Sequence, residues 1–237
     1  MGKIAVCVRF VAVQTFKTSK ARENILSRIR KGLGEAHLPM PFPETEKENG
    51  AFYTPATDGM EEMFADAFIK LGGKFVFCDN EQELVDNINL LHANREWAHM
   101  LCTENRVTSA FSNRGINILE PAQPYQEAAD ACITGCEMLV ARTGSIIFSS
   151  ALPLGRTTPV FYPIHIVVAY VDQVVADIED AISVMKKKYG DNMPSMINLN
   201  TGPSRTADIE KTLVVGVHGP AEVFCFLVNS DSGSFYR

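Results

Sequence analysis

MEEMFADAFIKLGGKFVFCDNEQELVDNINLLHANREWAHMLCT, residues 60–103, decides the fold because helical and extended patterns alternate along it. The pattern predicts a helix at 60–72, a strand at 74–79, a helix at 81–96 and a strand at 98–103. Alternation of this kind is typical of βαβ units, in which the strands run parallel. The stretch therefore predicts an α/β domain built on a mostly parallel sheet.

The alternation continues downstream with one change. Two predicted strands, 140–150 and 163–175, are joined by a loop rich in Gly and Pro without a helix, which indicates an antiparallel element in this half. The last predicted element is a hairpin of 212–218 with 223–229. The other predicted elements are helices at 107–115, 127–138 and 177–190, and strands at 116–121 and 196–200.

Length and composition are those of an ordinary globular protein. The chain has 237 residues, of which 46% are hydrophobic and 21% charged, and its net charge is -6. A chain of this size buries most of the surface that its unfolded form exposes. Binding to a nucleic-acid backbone requires a concentrated basic face, and the mild acidic excess argues against one. We expect no nucleic-acid partner.

The N-terminal part of the chain carries a different pattern. KARENILSRIRKGL, residues 20–33, has apolar side chains at helical spacing and basic residues between them, and a linker rich in Pro and charge follows. We expect three segments: an extension outside the fold at 1–17, a helix and Pro-rich linker at 18–50, and the α/β domain at 51–237.

Residues 1–17 admit more than one interpretation. Arg9 interrupts their apolar run, no small-residue cleavage pattern follows, and the run is too short to span a membrane. A basic opening without acidic residues leaves a transit peptide open, and the alternation of apolar residues would also suit an added edge strand. An extension with no fold of its own is the interpretation we favour.

The cysteines indicate a reducing compartment. They lie in apolar segments and are interpreted as reduced core residues of a cytoplasmic protein. Cys132 and Cys136, four residues apart, would share one face of the predicted helix at 127–138. An iron–sulfur cluster normally requires four closely spaced cysteines, so we expect this chain to bind no cluster, no other cofactor and no metal. The six are Cys7, Cys78, Cys102, Cys132, Cys136 and Cys225.

TGPSRTADIEKTLVVGVHGP, residues 201–220, brings polar and turn-forming residues to both ends of one apolar run. Polar loops that follow strands are the expected place for a ligand in an open α/β sheet. Ser204 is expected to cap a one-turn helix whose first amides suit an anion, and Arg205 adds a planar fork for a carboxylate or phosphate. The alternative is a capped turn in which Arg205 pairs with Asp208 or Glu210. Thr206 and Gly219 complete the candidate residues of this stretch.

Two further candidates are weaker. Thr143, Gly144 and Ser145 form a small turn rich in hydroxyl groups that could hold an oxyanion, although a plain β-turn has the same composition. His165 lies inside a predicted strand, where a hydrogen-bonded core histidine is the commoner case. His218, between glycines and a proline, is the better functional candidate, and two histidines on separate strands are a weak metal signal.

Several familiar motifs are absent from the sequence. It has no Walker loop, no GxGxxG that opens a helix after a strand, no GxSxG elbow and no HExxH. The residues themselves therefore indicate an α/β domain with a polar pocket suited to a small anion.

GPSRTADIEKTLVVGVHGP, together with ARTGSIIFSS, LPLGRTTPVFYPIHIVV and DQVV, resembles the lactate-utilisation (LUD) domain family. The resemblance runs from about Lys20 to Val228 and is most specific between Gly202 and Pro220. The positions that match the family pattern are Thr143, Gly144, Ser204, Arg205, Thr206, Asp208, Glu210, His218, Gly219 and Pro220.

The resemblance implies a Rossmann-like α/β fold of the ribose-5-phosphate isomerase and coenzyme A transferase type, with an N-terminal helical extension. It also implies a role in oxidising L-lactate to pyruvate beside two iron–sulfur partner proteins, with this chain as the subunit without a cluster. The second class of function that stays open is an independent enzyme or binding protein for a small phosphorylated or acyl substrate.

Overall fold

The computed structural model describes residues 19–34, 59–123, 129–209 and 212–229. The chain divides into two compact units, Met1–Phe52 and Tyr53–Arg237. Within the described part of the first unit, helix α1 spans Ser19–Gly34 and exposes Ile25 and Ile29. The predicted extension at 1–17 and most of the predicted linker lie outside the described residues.

The second unit alternates helices and strands through most of its length. Its helices are α2 Met60–Lys70, α3 Glu81–Arg95, α4 Asn105–Asn113, α5 Thr158–Phe161 and α6 Ile178–Tyr189, with a 3-10 turn at Val171–Gln173. Its strands are β1 Lys74–Cys78, β2 Met100–Cys102, β3 Leu119–Pro121, β4 Ala131–Thr134, β5 Met138–Val140, β6 Ser145–Ser149, β7 Ile164–Tyr170, β8 Val174–Val175, β9 Ile197–Asn200, β10 Arg205–Ile209, β11 Thr212–Val215 and β12 Glu222–Val228.

The main sheet has six strands in the order β1-β12-β7-β4-β2-β3, and every neighbouring pair is parallel. The predicted α/β class with a mostly parallel sheet is therefore confirmed. A second sheet, in the order β8-β5-β6-β9, holds two antiparallel pairs and one parallel pair. Strands β10 and β11 form a separate antiparallel ribbon.

The layers follow from which face of each strand is apolar. One face of the main sheet packs against α3 and α4, through buried side chains that include Leu84, Ile88, Val107 and Phe111. The opposite face packs against α2 and the second sheet, through Phe64, Phe68, Leu139, Ile146 and Phe148 among others. Helix α6 covers the outer face of the second sheet, where Ala181 and Met185 contact Met138, Val140 and Ile147.

The helix predicted at 127–138 is wrong. Its centre is β4, which lies between β2 and β7 with all four residues buried, and its last residue begins β5. A short apolar run suits a buried strand and a buried helix equally, so its periodicity does not separate them. Cys132 therefore lies in a strand and Cys136 in the loop after it, not on one helix face.

The terminal hairpin is also wrong, as is the one-turn helix predicted after Ser204. Strand β12 lies between β1 and β7, while β11 pairs with β10. Arg205 begins β10 rather than a one-turn helix. Antiparallel pairing does occur in this half, but it joins β6 to β5 and β9, and β7 belongs to the parallel sheet.

Candidate functional site

The structure brings two of the predicted polar segments together at the C-terminal end of α2. The hydroxyl oxygens of Ser145 and Thr201 lie 3.0 Å apart. Gly144 has a φ of 60°, and a Cβ there would lie 2.5 Å from the backbone nitrogen of Phe68, so only glycine allows this approach to the helix. The hydroxyl Oγ1 of Thr143 is buried and has no hydrogen-bond partner among the described residues.

Arg205 extends the same contact. Its guanidinium donates a hydrogen bond to the carbonyl oxygen of Leu71, at the end of α2. The group crosses Gly72, whose φ is 88° and where a Cβ would lie 2.5 Å from Nη2 of Arg205. A cation is favourable at a helix C-terminus because the last carbonyl groups carry partial negative charge. In this structure, the side chain of Arg205 therefore stabilises the C-terminal end of α2.

Residues 216–220, at the end of the same polar stretch, contact residues 202–204 at its start. The backbone N–H of Ser204 donates to the carbonyl oxygen of Pro220 at 2.9 Å, and the N–H of Gly216 donates to that of Ser204 at 3.0 Å. A Cβ at Gly219 would lie 3.0 Å from the Cβ of Ser204. Gly202, with a φ of 90°, sits close to the carbonyl oxygen of Leu71.

Two other candidates in this stretch, Thr206 and His218, are peripheral to these contacts. Thr206 is paired with Val214 in the ribbon, and His218 is exposed. Asp208 lies in β10, and Glu210 lies outside the described residues. Their proposed pairing with Arg205 stays a prediction.

The cluster of Thr143–Ser145, Thr201–Arg205 and Gly219–Pro220 lies at the amino ends of the parallel strands. Helix α2 ends just before β1 begins at Lys74, and Pro220 comes two residues before β12 begins. Ligands of open α/β sheets bind beyond the carboxyl ends of the strands. The strand that precedes Thr201 is β9, which belongs to the second sheet, so the sequence rule led to the opposite edge.

At the carboxyl edge, the chain order reverses at β2. Strand β3 follows on one side of β2, and β4 then returns on the other side. Such a reversal leaves a crevice between the carboxyl ends of β2 and β4, and this crevice is the usual place for a ligand. Thr103 and Glu104 follow β2 and Gly135 follows β4, so their loops face each other at this crevice.

A cavity of about 40 Å³ lies at this crevice, and we call it the switch-point cavity. Glu104 and Gly135 contact each other across this cavity, because Oε1 of Glu104 accepts a hydrogen bond of 2.9 Å from the N–H of Gly135. A Cβ at Gly135 would lie 3.0 Å from that carboxylate, so a larger residue there would require the Glu104 side chain to shift. Six of its lining residues are Glu104, Arg106, Gly135, Cys136, Tyr170 and Gln173.

Arg106 supplies the positive charge of the switch-point cavity. It lies in the first turn of α4, and the carbon at the centre of its guanidinium lies 4.2 Å from the centroid of the Tyr170 ring. Its Nε donates to the carboxylate of Glu81. A cation over a tyrosine face is attracted to the ring, so these two contacts fix the plane of the guanidinium.

Tyr170 and Cys136 stay uncharged at neutral pH. Burial raises the pKa of the Tyr170 phenol to about 12, an effect that the nearby charge of Arg106 only partly offsets. Burial also raises the pKa of the Cys136 thiol well above its ordinary value. Cys136 is therefore a poor thiolate nucleophile and a poor metal ligand.

Gln173 positions the loop that carries Gly135 and Cys136. Its side-chain amide nitrogen donates to the carbonyl oxygens of Cys136 and Glu137, at 2.7 and 3.3 Å. Its amide oxygen accepts from the N–H of Tyr170 at 2.8 Å. This buried side chain thus ties the end of β7 to the loop after β4.

Sequence reasoning missed the switch-point cavity because the predicted helix at 127–138 hid the end of β4. The available signal was a polar Thr-Glu-Asn directly after the strand that ends at Cys102, together with Thr-Gly directly before Cys136. Both are polar loops after parallel strands, which is the rule that the sequence analysis applied elsewhere.

A larger opening of about 500 Å³ lies between the start of α2 and the ends of β1 and β12. Its lining includes the aromatic residues Phe75 and Phe77 and two carboxylates, Glu61 and Glu62. Its described lining residues include no Arg or Lys to balance these carboxylates, whereas Arg106 lines the switch-point cavity, and this difference disfavours a small anion here. The switch-point cavity is therefore the better candidate for an anionic ligand.

Glu137 forms a separate buried polar cluster between the second sheet and α6. The residue is 2% exposed, and its carboxylate accepts hydrogen bonds from Ser149 at 2.5 Å, Tyr189 at 2.6 Å and Lys188 at 2.8 Å. Burial alone would raise the pKa of Glu137, but these three hydrogen bonds and the charge of Lys188 hold it below its ordinary value.

His165 is a core residue, as its position in a strand predicted. It is fully buried, its Nε2 lies 2.8 Å from the hydroxyl of Thr134, and its Nδ1 has no hydrogen-bond partner among the described residues. Burial lowers its pKa to about 3, so it stays neutral. Within the ranges that the structure describes, no three His, Cys, Asp or Glu residues form a group that could hold a metal ion. No helix in those ranges is long and apolar enough to cross a membrane.

Comparison with known proteins identifies the family. The sequence model of the LUD domain family matches residues 61–228 of this chain. Lactate utilization protein C of Halalkalibacterium halodurans is 36% identical over 225 residues, which cover 88% of this chain and 95% of that protein.

Two Bacillus relatives match over a shorter stretch. Lactate utilization protein C 1 of Bacillus mycoides is 30% identical over 56% of this chain and 58% of its own length. Lactate utilization protein C of Bacillus subtilis is 34% identical over 44% of each chain. The matched part of this chain thus spans about half the length of these two relatives.

The fold has a counterpart of known structure. The crystal structure of a DUF162 family protein from Deinococcus radiodurans matches with a TM-score of 0.52 at 19% identity, over 71% of this chain and 96% of that one. At this identity the match concerns the fold alone. The family match covers most of the chain, and the relative from Halalkalibacterium halodurans is similar over nearly its whole length. The chain therefore belongs to the LUD domain family.

Proposed function

We propose that this chain is the cluster-free subunit of an L-lactate utilisation system, which oxidises L-lactate to pyruvate together with iron–sulfur partner proteins. The observation that carries the proposal is the 36% identity to a lactate utilization protein C over 95% of that protein's length. Similarity over a whole chain favours a shared role more than a shared domain does.

The burial of the cysteines supports the division of labour. Among the described residues, Cys78, Cys102, Cys132, Cys136 and Cys225 are buried, free thiols. Burial raises the pKa of Cys132 to about 12, and cluster ligation requires thiolates. Burial raises the pKa of the other four thiols too, so all five favour the protonated form, which does not ligate iron.

The reaction requires an electron acceptor. Oxidation of lactate breaks the C2–H and O–H bonds and releases two electrons and two protons, which leaves the C=O group of pyruvate. In this proposal, the electrons would pass to iron–sulfur clusters on the partner subunits. This chain then contributes a binding site for the small carboxylate, or the surface that assembles the partners.

A stand-alone enzyme or binding protein for a small phosphorylated or acyl substrate is the second candidate. The switch-point cavity favours it, because a cavity at a strand-order reversal is where enzymes with open α/β sheets bind phosphorylated ligands. This candidate predicts that the isolated chain turns over or binds such a compound without partner proteins.

Growth separates the two candidates. A strain that lacks this chain should fail to grow on L-lactate and should grow normally on pyruvate, and the full-length chain should restore growth. Equal growth of the deletion strain on both carbon sources would contradict the proposed function. Growth on pyruvate also serves as the control for general sickness of the strain.

A further inference from the structure

The switch-point cavity has unused hydrogen-bonding capacity of two kinds. The ion pair with Glu81 uses Nε of Arg106, and the terminal nitrogens Nη1 and Nη2 have no hydrogen-bond partner among the described residues. On Glu104, Oε1 accepts from Gly135 and Thr103, whereas Oε2 has no partner in the same part of the chain. The cavity thus offers a donor pair and an acceptor.

Both groups are held in place before any ligand arrives. The Arg106 guanidinium lies over the Tyr170 ring, and its Nε donates a hydrogen bond to the carboxylate of Glu81. The hydrogen bond from Gly135 fixes the Glu104 carboxylate. A ligand that binds to groups already fixed loses less conformational entropy on binding, so the arrangement favours affinity.

The terminal nitrogens of an arginine match the two oxygens of a carboxylate, with two parallel hydrogen bonds. An unpaired carboxylate oxygen such as Oε2 of Glu104 only accepts, so it requires a ligand group that donates. A 2-hydroxy acid is a small molecule that has both a carboxylate and a hydroxyl group that can donate.

We propose that the switch-point cavity binds a small 2-hydroxy acid, with its carboxylate on the terminal nitrogens of Arg106 and its hydroxyl donating to Oε2 of Glu104. The ligand class rests on the proposed function, in which the substrate is L-lactate. The cavity of about 40 Å³ suits a ligand this small, since a single water needs about 10–15 Å³ on the same scale. Val107, Leu152 and Val168 supply apolar wall for a methyl group.

The same geometry discriminates between substrate and product. Pyruvate has a keto oxygen in place of the hydroxyl, and that oxygen would face Oε2 of Glu104 as one acceptor against another. A site that hydrogen-bonds a substrate hydroxyl rejects analogues without it, because its own polar group is left unpaired. The cavity should therefore bind lactate more tightly than pyruvate, which also favours release of the product.

Calorimetric titration of the full-length chain with L-lactate, pyruvate and inorganic phosphate tests the inference. The wild type should bind L-lactate at least about tenfold more tightly than pyruvate. Arg106→Gln should weaken lactate binding about ten- to a hundredfold, because it removes a charge-assisted pair of hydrogen bonds. Glu104→Gln should lower the ratio of lactate to pyruvate affinity, because an amide NH₂ then replaces the accepting oxygen while the other oxygen still accepts from Gly135.

Arg114→Gln is the matched control. Arg114 follows the same helix, donates to Asp86 at 2.7 Å, and its side chain is 36% exposed against 38% for Arg106. Its loss should leave lactate affinity within about twofold of wild type. Far-UV circular dichroism of each variant checks that the fold is kept.

Several titration results would each overturn the inference. They are wild-type binding of pyruvate as tight as that of lactate, equal lactate affinity in Arg106→Gln and Arg114→Gln, or binding of phosphate but not lactate. The growth experiment tests the proposed function independently of these titrations. A chain that restores growth on L-lactate but binds no lactate alone would refute the cavity proposal and leave the proposed function intact.

Discussion

Replacement of the buried carboxylate of Glu137 by an amide, in Glu137→Gln, should destabilise the protein measurably. The amide oxygen still accepts from Ser149 and Tyr189, but the NH₂ group then faces the Lys188 ammonium, donor against donor. A hydrogen bond between charged groups contributes about 1.5–3 kcal/mol. Because the Lys188 side chain is 34% exposed and can turn towards water, we expect a loss of about 2 kcal/mol rather than the full cost of a stranded buried charge.

The effect should depend on pH in a defined direction. The pKa of Glu137 is lowered in the folded protein, although burial opposes this, because hydrogen bonds from Lys188, Ser149 and Tyr189 outweigh it. A lowered pKa stabilises the fold at pH values above the unfolded value, and this stabilisation is lost as the pH falls through the folded value. The gap in stability between the wild type and Glu137→Gln should therefore narrow on acidification.

Urea denaturation followed by far-UV circular dichroism, at about pH 7 and then in steps towards about pH 3, measures both effects. Glu179→Gln is the control. Glu179 is an exposed acid in the first turn of α6, the helix that carries Lys188 and Tyr189, and it should contribute less than about 1 kcal/mol to the free energy of unfolding. Equal stability of the wild type and Glu137→Gln at neutral pH, or a gap that widens on acidification, would refute the reasoning.

Four further predictions follow from other parts of the chain. Gly72→Ala should lower the free energy of unfolding, measured by urea denaturation, by about 1–2 kcal/mol. The loss should be smaller in an Arg205→Ala background, because the clash with the guanidinium is then absent and only the strain of the positive φ remains. Arg205→Lys should lower stability by about 1 kcal/mol and leave lactate affinity within about twofold, whereas a tenfold loss of affinity would favour the anion-binding role predicted from the sequence. Anaerobic reconstitution with iron and sulfide should give no broad visible absorption band in stoichiometric amount, and such a band would contradict the cluster-free assignment. Deletion of residues 1–17 should leave the thermal midpoint nearly unchanged, and a fall of many degrees would show that they belong to the fold.

The order of elements was predictable where each element is long and has one clear period. Helices α3 and α6 and strand β1 lie within one or two residues of their predicted bounds, because amphipathic helices and strands are encoded by their own residues. The parallel sheet followed from that alternation.

Strand partners were not predictable in the same way. Strand β12 follows a turn and looks like half of a hairpin, but its burial between β1 and β7 is decided by residues far away in the sequence. All four residues of β4 are buried, so no polar alternation marks it as a strand.

The candidate sites show the same limit. The motif around Arg205 was visible because its polar residues are close in sequence, yet its contact with Leu71 spans 134 positions. The switch-point cavity joins Glu104, Gly135 and Gln173 from the ends of three strands. Only the strand order places those ends side by side, and no local pattern encodes the strand order.

Isolation of the native complex through this chain tests the central claim most directly. Cells grown on L-lactate would be lysed without oxygen, the tagged full-length chain recovered, and L-lactate-dependent reduction of an artificial electron acceptor measured in the eluate. The account predicts that iron–sulfur proteins and this activity are recovered together, and that both are missing when the tag is on an unrelated protein. Recovery of the chain alone, without lactate oxidation and with full activity left in the depleted lysate, would contradict it.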